Sequence, residues 1–505
     1  MTEQFRTEAG ISGFALYFPP LRLKLEDWCA WTGNSWDKIS AVVGESFRWP
    51  TPREDAYTMA ANAVLELIDR YGINPQDVGF LALGTESSKD NSAGAVIVKG
   101  MVDRGLEARG QSRLSRHCEV PEFKHACLGG IYGLKAALRY AATDGSDRQA
   151  IVVASDIAEY ERNSSGEPTQ GAGAVAMLVE RNPRLLEVDL AHGGRASDYR
   201  GPDFRKPIAR HFLDERVGSQ SAFRDFPVFS GKYSAFAYLD QTYHAVKEML
   251  RRFDVSGRDY VDRVRAMFFH RPYHLMPVQA LAFLYVRALV DSHSGTDELT
   301  KLCDAAGVSV DQVRVEANEM PDLYRHVVTD GLAESSPYPA TSALASHARK
   351  TDALCRLIDQ KLSLGSDWTR AFGNLYTASL PAWMAAGMEA ALANGEDLTG
   401  AELIAVGYGS GDAAEAIPMR VAEGWRDAAG CIGVAQSLDN GIDLTRQQYE
   451  ALHDGGEVPS LMHLPLSGFV ISHVGQTRTA GFQDFGVDYY SRSTPDREAE
   501  LAPDT

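Results

Sequence analysis

The chain has 505 residues, 44% of them hydrophobic and 23% charged, with a formal net charge of −18. This is ordinary globular material, long enough for two cores, and it excludes the disordered and disulfide-framework classes. The acidic balance argues against wholesale binding to nucleic acid or to an anionic membrane, so an anionic substrate needs a local basic patch. One candidate runs from Lys99 to Lys124 through Arg104, Arg109, Arg113 and Arg116. Mixed with Asp103, Glu107 and Glu119, it reads equally as a solvated helix face. No stretch of 18 apolar residues occurs, and Met1 to Glu8 lacks the basic-then-apolar pattern of a signal peptide, so a cytoplasmic protein is expected. Cys29, Cys118, Cys127, Cys303, Cys355 and Cys431 form no C-x-x-C pair, which predicts reduced thiols and no metal site.

In chain order, Ile11 to Pro20 reads as an opening strand and Glu54 to Tyr71 as an amphipathic helix stopped by Gly72, with Ala61, Val64, Leu65 and Ile68 at helical spacing. Val78 to Gly84 is a buried strand running into Thr85-Glu86-Ser87-Ser88-Lys89-Asp90, and Ala93 to Val102 is helical. Cys127 then stands just ahead of Gly129-Gly130, at the expected start of a helix reaching Tyr140. A helix start favours thiolate over thiol and offers N–H groups to an oxyanion, so Cys127 reads as a nucleophile, against the commoner case of a buried structural cysteine. Ala150 to Asp156 is a second buried strand, and Gly166 to Val179 a glycine-rich turn feeding a third.

The second part of the chain replays this order. Arg265 to His270 answers the Glu86 unit, Arg370 to Met388 with Asn374 answers the Cys127 unit, and Glu402 to Asp412 with Ser410 answers the second strand. The expected architecture is a layered α/β fold of two pseudo-repeated halves, residues 1–190 and 191–505, the second carrying a helical, polar insertion at about 291–365. Strand ends and helix starts of both halves then converge, bringing Glu86, Cys127, His270, Asn374 and Ser410 to one site. Taken singly, each has a blander reading: a solvated carboxylate, a satisfied core histidine, a flexible turn.

Seven stretches in order resemble the 3-hydroxy-3-methylglutaryl-CoA synthase family of thiolase-like condensing enzymes. They are Gly84-Thr85-Glu86-Ser87, Ala126-Cys127, Ala154 to Ala158, Glu167 to Ala174, Phe269-His270-Arg271-Pro272-Tyr273, Gly373 to Ser379 and Tyr408-Gly409-Ser410-Gly411. The resemblance implies a layered αβαβα fold and condensation of an acetyl thioester with a β-ketoacyl thioester, acetoacetyl-CoA. It makes Cys127 the acyl acceptor, Glu86 the general base and His270 the group that polarises the ketone. Asn374 is then a substrate-positioning residue, and the backbone N–H groups of Cys127 and Ser410 form the oxyanion hole. Asp90, Asp156, Tyr160, Asp203 and Thr169 match further substrate-site positions. No metal or redox cofactor is implied; the partners are acyl-CoA substrates or an acyl carrier protein, and the assembly a homodimer.

Four positions depart from the family pattern. Leu275 stands where a lysine for CoA phosphates is usual, with His274 or Arg271 as substitutes; Leu128, Ile131 and Arg205 are expected around the acyl pocket. The departures favour, as an alternative, a synthase acting on carrier-bound β-ketoacyl chains in polyketide β-branching; a catalytically silent scaffold subunit is a further alternative, against which Glu86, Cys127, His270 and Asn374 are all present.

Overall fold

The computed structural model describes residues 8–90, 92–206, 226–228, 230–292, 295–462, 464 and 466–493. The apolar run Val78–Gly84 is buried at every residue and Gln149–Ala158 at all but two. Strands of that kind belong in the middle of a sheet covered on both faces. They sit in a ten-stranded sheet whose path runs β8, β9, β10, β6, β1, β5, β4, β2, β3. Here β1 is Ala9–Tyr17, β2 Val78–Gly84, β3 Glu122–Phe123, β4 Gln149–Ala158, β5 Gly171–Glu180 and β6 Leu186–Val188. The short β7, Gly194–Ser197, pairs with β10; β8 is Ala266–Phe269, β9 Glu402–Gly409 and β10 Ala413–Val421.

Pairing repeats across the sheet. Parallel β2 and β4 align Gly84 with Ala154, and β4 runs antiparallel to β5. Parallel β8 and β9 align Phe269 with Val406, and β9 runs antiparallel to β10. In each unit an inner helix lies, in chain order, between the two parallel strands, α3 (Gly129–Ala142) after Cys127 and α8 (Ser379–Ala393) after Asn374. The fold is therefore the layered, two-half α/β architecture that the sequence order implies.

The helices form where the local code dictates. In α1 (Ala56–Tyr71) the Asp55 carboxylate and the Thr58 hydroxyl satisfy each other's backbone N–H groups, and Gly72 closes the end at a φ of 60°. The helix after the Glu86 turn, α2 (Gly94–Glu107), runs five residues further than its sequence pattern suggests. Helix α4 (Lys232–Phe253) lies against β10 and β7, with α5 (Gly257–Arg263) and α6 (Leu275–Asp291) packed beside it.

Within the region read as an insertion, Thr296–Ala306, Val310–Asn318, α7 (Pro339–Ala348) and Asp352–Leu362 are helices. They share a small core of Leu299, Cys303, Val313, Leu344 and Leu354 with one face of α6. The Glu316 carboxylate accepts the Ala340 and Thr341 N–H groups, at 2.8 and 2.7 Å, at the start of α7. Among the described residues, no helix is long and apolar enough to cross a membrane.

Candidate active site

Cys127 occupies a tight turn rather than the helix itself. Helix α3 begins at Gly129 with Leu128 as its cap, and Ala126 adopts a φ of 39°, a left-handed conformation that a residue with a side chain adopts at a cost. A Cβ on Gly84 would lie 2.5 Å from the nitrogen and Cα of Gly130. Only glycines at these positions let the start of α3 press against the end of β2, which sets Cys127 beside the turn that carries Glu86.

The electrostatic consequence differs from the expectation of a thiolate. Burial, then the Glu86 and Asp156 carboxylates, push the Cys127 thiol well above its ordinary range, while Lys206 pulls it down. Desolvation and two anions outweigh the helix start, so the resting group is a thiol. Lys206 was not singled out by the sequence, although it follows Asp203-Phe204-Arg205. Its Nζ lies 3.9 Å from Glu86 Oε1 and 5.0 Å from the centre of the Tyr376 ring.

Asp156 is fully buried and divides its two oxygens between the halves. Oδ1 accepts from the N–H groups of Glu86 (2.8 Å) and Ser87 (3.0 Å) and from the hydroxyls of Thr85 (2.9 Å) and Ser87 (2.8 Å). Oδ2 accepts from the Thr377 N–H (3.0 Å) and hydroxyl (2.5 Å). It fixes the backbone that presents Glu86 and does not line the cleft.

His270 follows β8 and is 2% exposed; its N–H bonds to the Val406 carbonyl at 2.7 Å and its carbonyl accepts the Tyr238 hydroxyl at 2.8 Å. Burial lowers its pKa to about 3, so the ring is neutral and can act as a hydrogen-bond donor rather than as a cation. The Asn374 oxygen accepts the Tyr376 N–H and the Ser379 hydroxyl, both at 3.0 Å, which leaves its amide nitrogen as the donor toward the cleft.

One cleft, with 630 Å³ of empty volume including its mouth, is lined by Cys127, His270, Asn374, Ser410, Tyr160 and Thr169. Its apolar wall comes from Phe204, Ala235, Tyr238, Tyr273 and Met276, which sequence reading did not assign to the site. Tyr273 lies inside a stretch quoted above, and Phe204 and Met276 adjoin Asp203 and Leu275. Tyr238 and Ala235 sit on α4, which no motif announced.

Other residues named from the sequence lie outside the lining of this cleft. Asp90 is exposed and its carboxylate bonds to the N–H groups of Ser92 (2.8 Å) and Ala93 (3.0 Å), ahead of α2 and outside the cleft. Asp203 is wholly buried behind the wall, where it accepts the Ser234 hydroxyl, and does not line the cleft. Leu128 and Ile131 do not line it either. They are buried against Gly407, with Leu128 also covering Gly409, so they replace packing rather than substrate contacts. Arg205 is exposed.

Neither substitute for the missing lysine is presented to a phosphate. Arg271 bonds to the Ser366 carbonyl, the Thr369 hydroxyl and His274 Nδ1 and lies 5.2 Å from the Trp383 ring. Burial and neighbouring arginines hold His274 down to about 4, so it is neutral. The basic stretch is an ion-paired face: Lys99 with Asp103, Arg109 with Asp69, Arg113 with Glu107.

The loop carrying Ser410 is braced from below. Arg200, 1% exposed, bonds to Asp412 (3.2 Å) and Asp240 (2.5 Å), and Tyr338 of the cap of α7 donates to the other Asp240 oxygen. With several carboxylates around one guanidinium, burial raises Asp412 to about 8.

The layered sheet of paired halves is that of the thiolase-like enzymes. The family described as hydroxymethylglutaryl-coenzyme A synthase N terminal matches residues 5–183. Hydroxymethylglutaryl-CoA synthase of Haloferax volcanii is 30% identical over 453 residues, 89% of this chain and 92% of that protein. Its counterpart in Enterococcus faecalis is 27% identical over 445 residues, 88% and 91% of the two chains. The chain belongs to the hydroxymethylglutaryl-CoA synthase family.

Among solved structures, MvaS in complex with 3-hydroxy-3-methylglutaryl coenzyme A superposes with a TM-score of 0.71 at 24% identity, covering 97% of this chain and all of that one. The curacin pathway HMG synthase in complex with acetyl donor-ACP gives 0.67 at 19%, covering 96% and 99%. Both likenesses concern the fold.

Proposed function

We propose that the chain condenses acetyl-CoA with acetoacetyl-CoA to give 3-hydroxy-3-methylglutaryl-CoA. The observation that carries this reading is the single cleft shared by Cys127, His270, Asn374 and Ser410, with the charge of Glu86 acting on the same sulfur. The Cys127 sulfur attacks the acetyl carbonyl, the bond to the CoA sulfur breaks, and the thiol proton leaves with CoA. Glu86 removes a methyl proton from the acetyl group, and the resulting carbanion bonds to the ketone carbon of acetoacetyl-CoA.

Neutral His270 donates to that ketone, and the new alkoxide takes back the proton from Glu86. The backbone N–H groups of Cys127 and Ser410 hold the thioester oxygen while charge develops on it, and Asn374 and Thr169 position the chain. Tyr160 closes the cleft beside the sulfur. Asp156 and Asp203 act beneath the site by fixing its backbone and wall. Water then frees the carboxylate and the Cys127 thiol. The test mixes the purified protein with both thioesters: release of CoA thiol with formation of the product supports the reading, and no release with Cys127 intact removes it.

A second reading places the β-ketoacyl chain on a carrier protein. It is favoured by the absence of any lysine or arginine among the described residues lining the cleft and by the inward engagement of Arg271. Equal rates with CoA-bound and carrier-bound substrates would count against it. The halves 1–190 and 191–505 and the 291–365 insertion belong to the same proposal, as does a cytoplasmic homodimer, for which light scattering should give twice the chain mass of 55.2 kDa.

A further inference from the structure

Beneath the Ser410 loop, one buried cation faces more carboxylates than it can neutralise. Arg200 Nε lies 3.2 and 3.4 Å from the two oxygens of Asp412, and its Nη2 lies 2.5 Å from Asp240 Oδ2. Asp203, buried and itself raised by burial, is a third carboxylate acting on Asp412. Asp198 pairs with Arg200 Nη1 at 3.1 Å from the solvent side, where water screens it.

Of the buried carboxylates, Asp240 keeps its charge. Against burial, His244 at 3.4 Å and Arg200 hold its pKa below the usual carboxylate range, and the Tyr338 hydroxyl donates to its Oδ1. That charge balances the guanidinium. A second negative charge, on Asp412, would share a cation already matched, and a buried carboxylate so placed takes up a proton. Burial accordingly raises Asp412 to about 8, with Arg200 opposing and Asp203 and Asp240 adding to the rise. The phenols around the cluster, Tyr233, Tyr338 and Tyr408, are held above their ordinary range by burial and stay neutral there.

Asp412 is tied to the acyl cleft in two ways. Its N–H bonds to the Asp198 carbonyl at 3.1 Å and its carbonyl accepts the Asp198 N–H at 3.2 Å, which clips the turn after Ser410 to the segment leading into Phe204 and Lys206. Its Oδ2 accepts the hydroxyl of Tyr408 at 3.4 Å; that side chain lines the cleft, with its ring 6.4 Å from the ring of His270. A negative charge at this place stands behind the Ser410 turn and opposes an oxyanion as it forms, and a proton removes the opposition. Resting on the assignment of the Ser410 N–H to the thioester oxygen, we propose that Asp412 is a positioning residue of this site: as a neutral carboxyl it fixes the Ser410 turn on Arg200, and loss of its proton slows acyl transfer to Cys127.

The test follows acetyl transfer from p-nitrophenyl acetate to Cys127 by mass spectrometry across a pH series, in the parent chain and in Asp412→Asn, which keeps the shape of the neutral carboxyl. The thioester bond to Cys127 forms as the bond to p-nitrophenolate breaks, and the thiol proton passes to solvent. An ester donor needs no recognition of CoA; failure of the condensation reading shows separately, as no CoA release from the two thioesters. Below about pH 8 the parent carries the proton and the ratio of Asp412→Asn to parent rates should be constant; above it the parent is charged and the ratio should climb about tenfold. Alkylation of Cys127 by iodoacetamide builds no oxyanion, so its ratio should stay flat throughout. A merely structural role would lower both rates by one factor at every pH. Asp412→Ser, equally without a titrating group, should give the same climb and decides the matter if Asp412→Asn does not fold. An acetylation ratio that stays flat across the series would overturn the proposal. A climb shared equally by alkylation would place the effect on the thiol and overturn it too, and no acetylation of the parent by the ester would leave no oxyanion for Asp412 to oppose and overturn it as well.

Discussion

At the scale of single residues, the proposed chemistry turns on a buried thiol raised by the charges of two carboxylates. Because the Cys127 thiol lies above its ordinary range, its alkylation by iodoacetamide should keep accelerating as pH rises past 9, where an exposed cysteine levels off. Lys206 is the cation that moderates this. Replacing it with methionine should slow acetylation of Cys127 at pH 8 several-fold, because the thiol then rises further, while Lys206→Arg keeps most of the rate. Mass spectrometry of the acetylated chain over a pH series reads both outcomes.

His270 titrates in the opposite sense. Its folded pKa of about 3 is below the unfolded value near 6.5, so between these limits the unfolded chain binds more protons and stability falls as pH falls. Urea unfolding of His270→Gln should therefore lose less stability between pH 6.5 and pH 4 than the parent does.

At the scale of elements, the site depends on close approaches and braces more than on the motif residues alone. Gly84→Ala puts a methyl group 2.5 Å from the Gly130 backbone and should cost about 1–3 kcal/mol in urea unfolding, with slower condensation because Cys127 moves from Glu86. Arg200→Met leaves Asp240 and Asp412 buried without their cation. A loss of about 3–5 kcal/mol is expected, with the Ser410 loop loosened.

Elements with a plain period were legible in the sequence: α1 with its apolar stripe and its Gly72 stop, the apolar strands, and the glycines that open α3. Helix α4 was not. It buries Asp240, Gln241 and Thr242 along with Tyr233, Tyr238 and Tyr243, so its inward face does not read as an apolar stripe, yet it supplies a wall of the cleft. The family resemblance also implied Asp90, Asp156 and Asp203 as site positions without their direction. A carboxylate aimed at substrate and one aimed at backbone N–H groups look alike until the turn is folded.

At the scale of the whole molecule, the order of units along the chain predicted the paired architecture because a repeat of strand, helix start and strand constrains topology more tightly than any single element. What sequence could not supply was the partnering of charge. Asp103 and Glu107 are local partners of the basic run, but Asp69 reaches Arg109 from another helix and Arg271 is turned inward onto Ser366 and Thr369, both results of tertiary packing between segments far apart in sequence.

Asp156 gives this assembly a property of its own. One of its oxygens secures the turn of Glu86 and the other the turn after Asn374, so the geometry of both turns hangs on a single carboxylate. A site spanned in this way has no half-working form: thermal inactivation should coincide with the cooperative melting of the entire chain, without an earlier fading of activity while the protein remains folded.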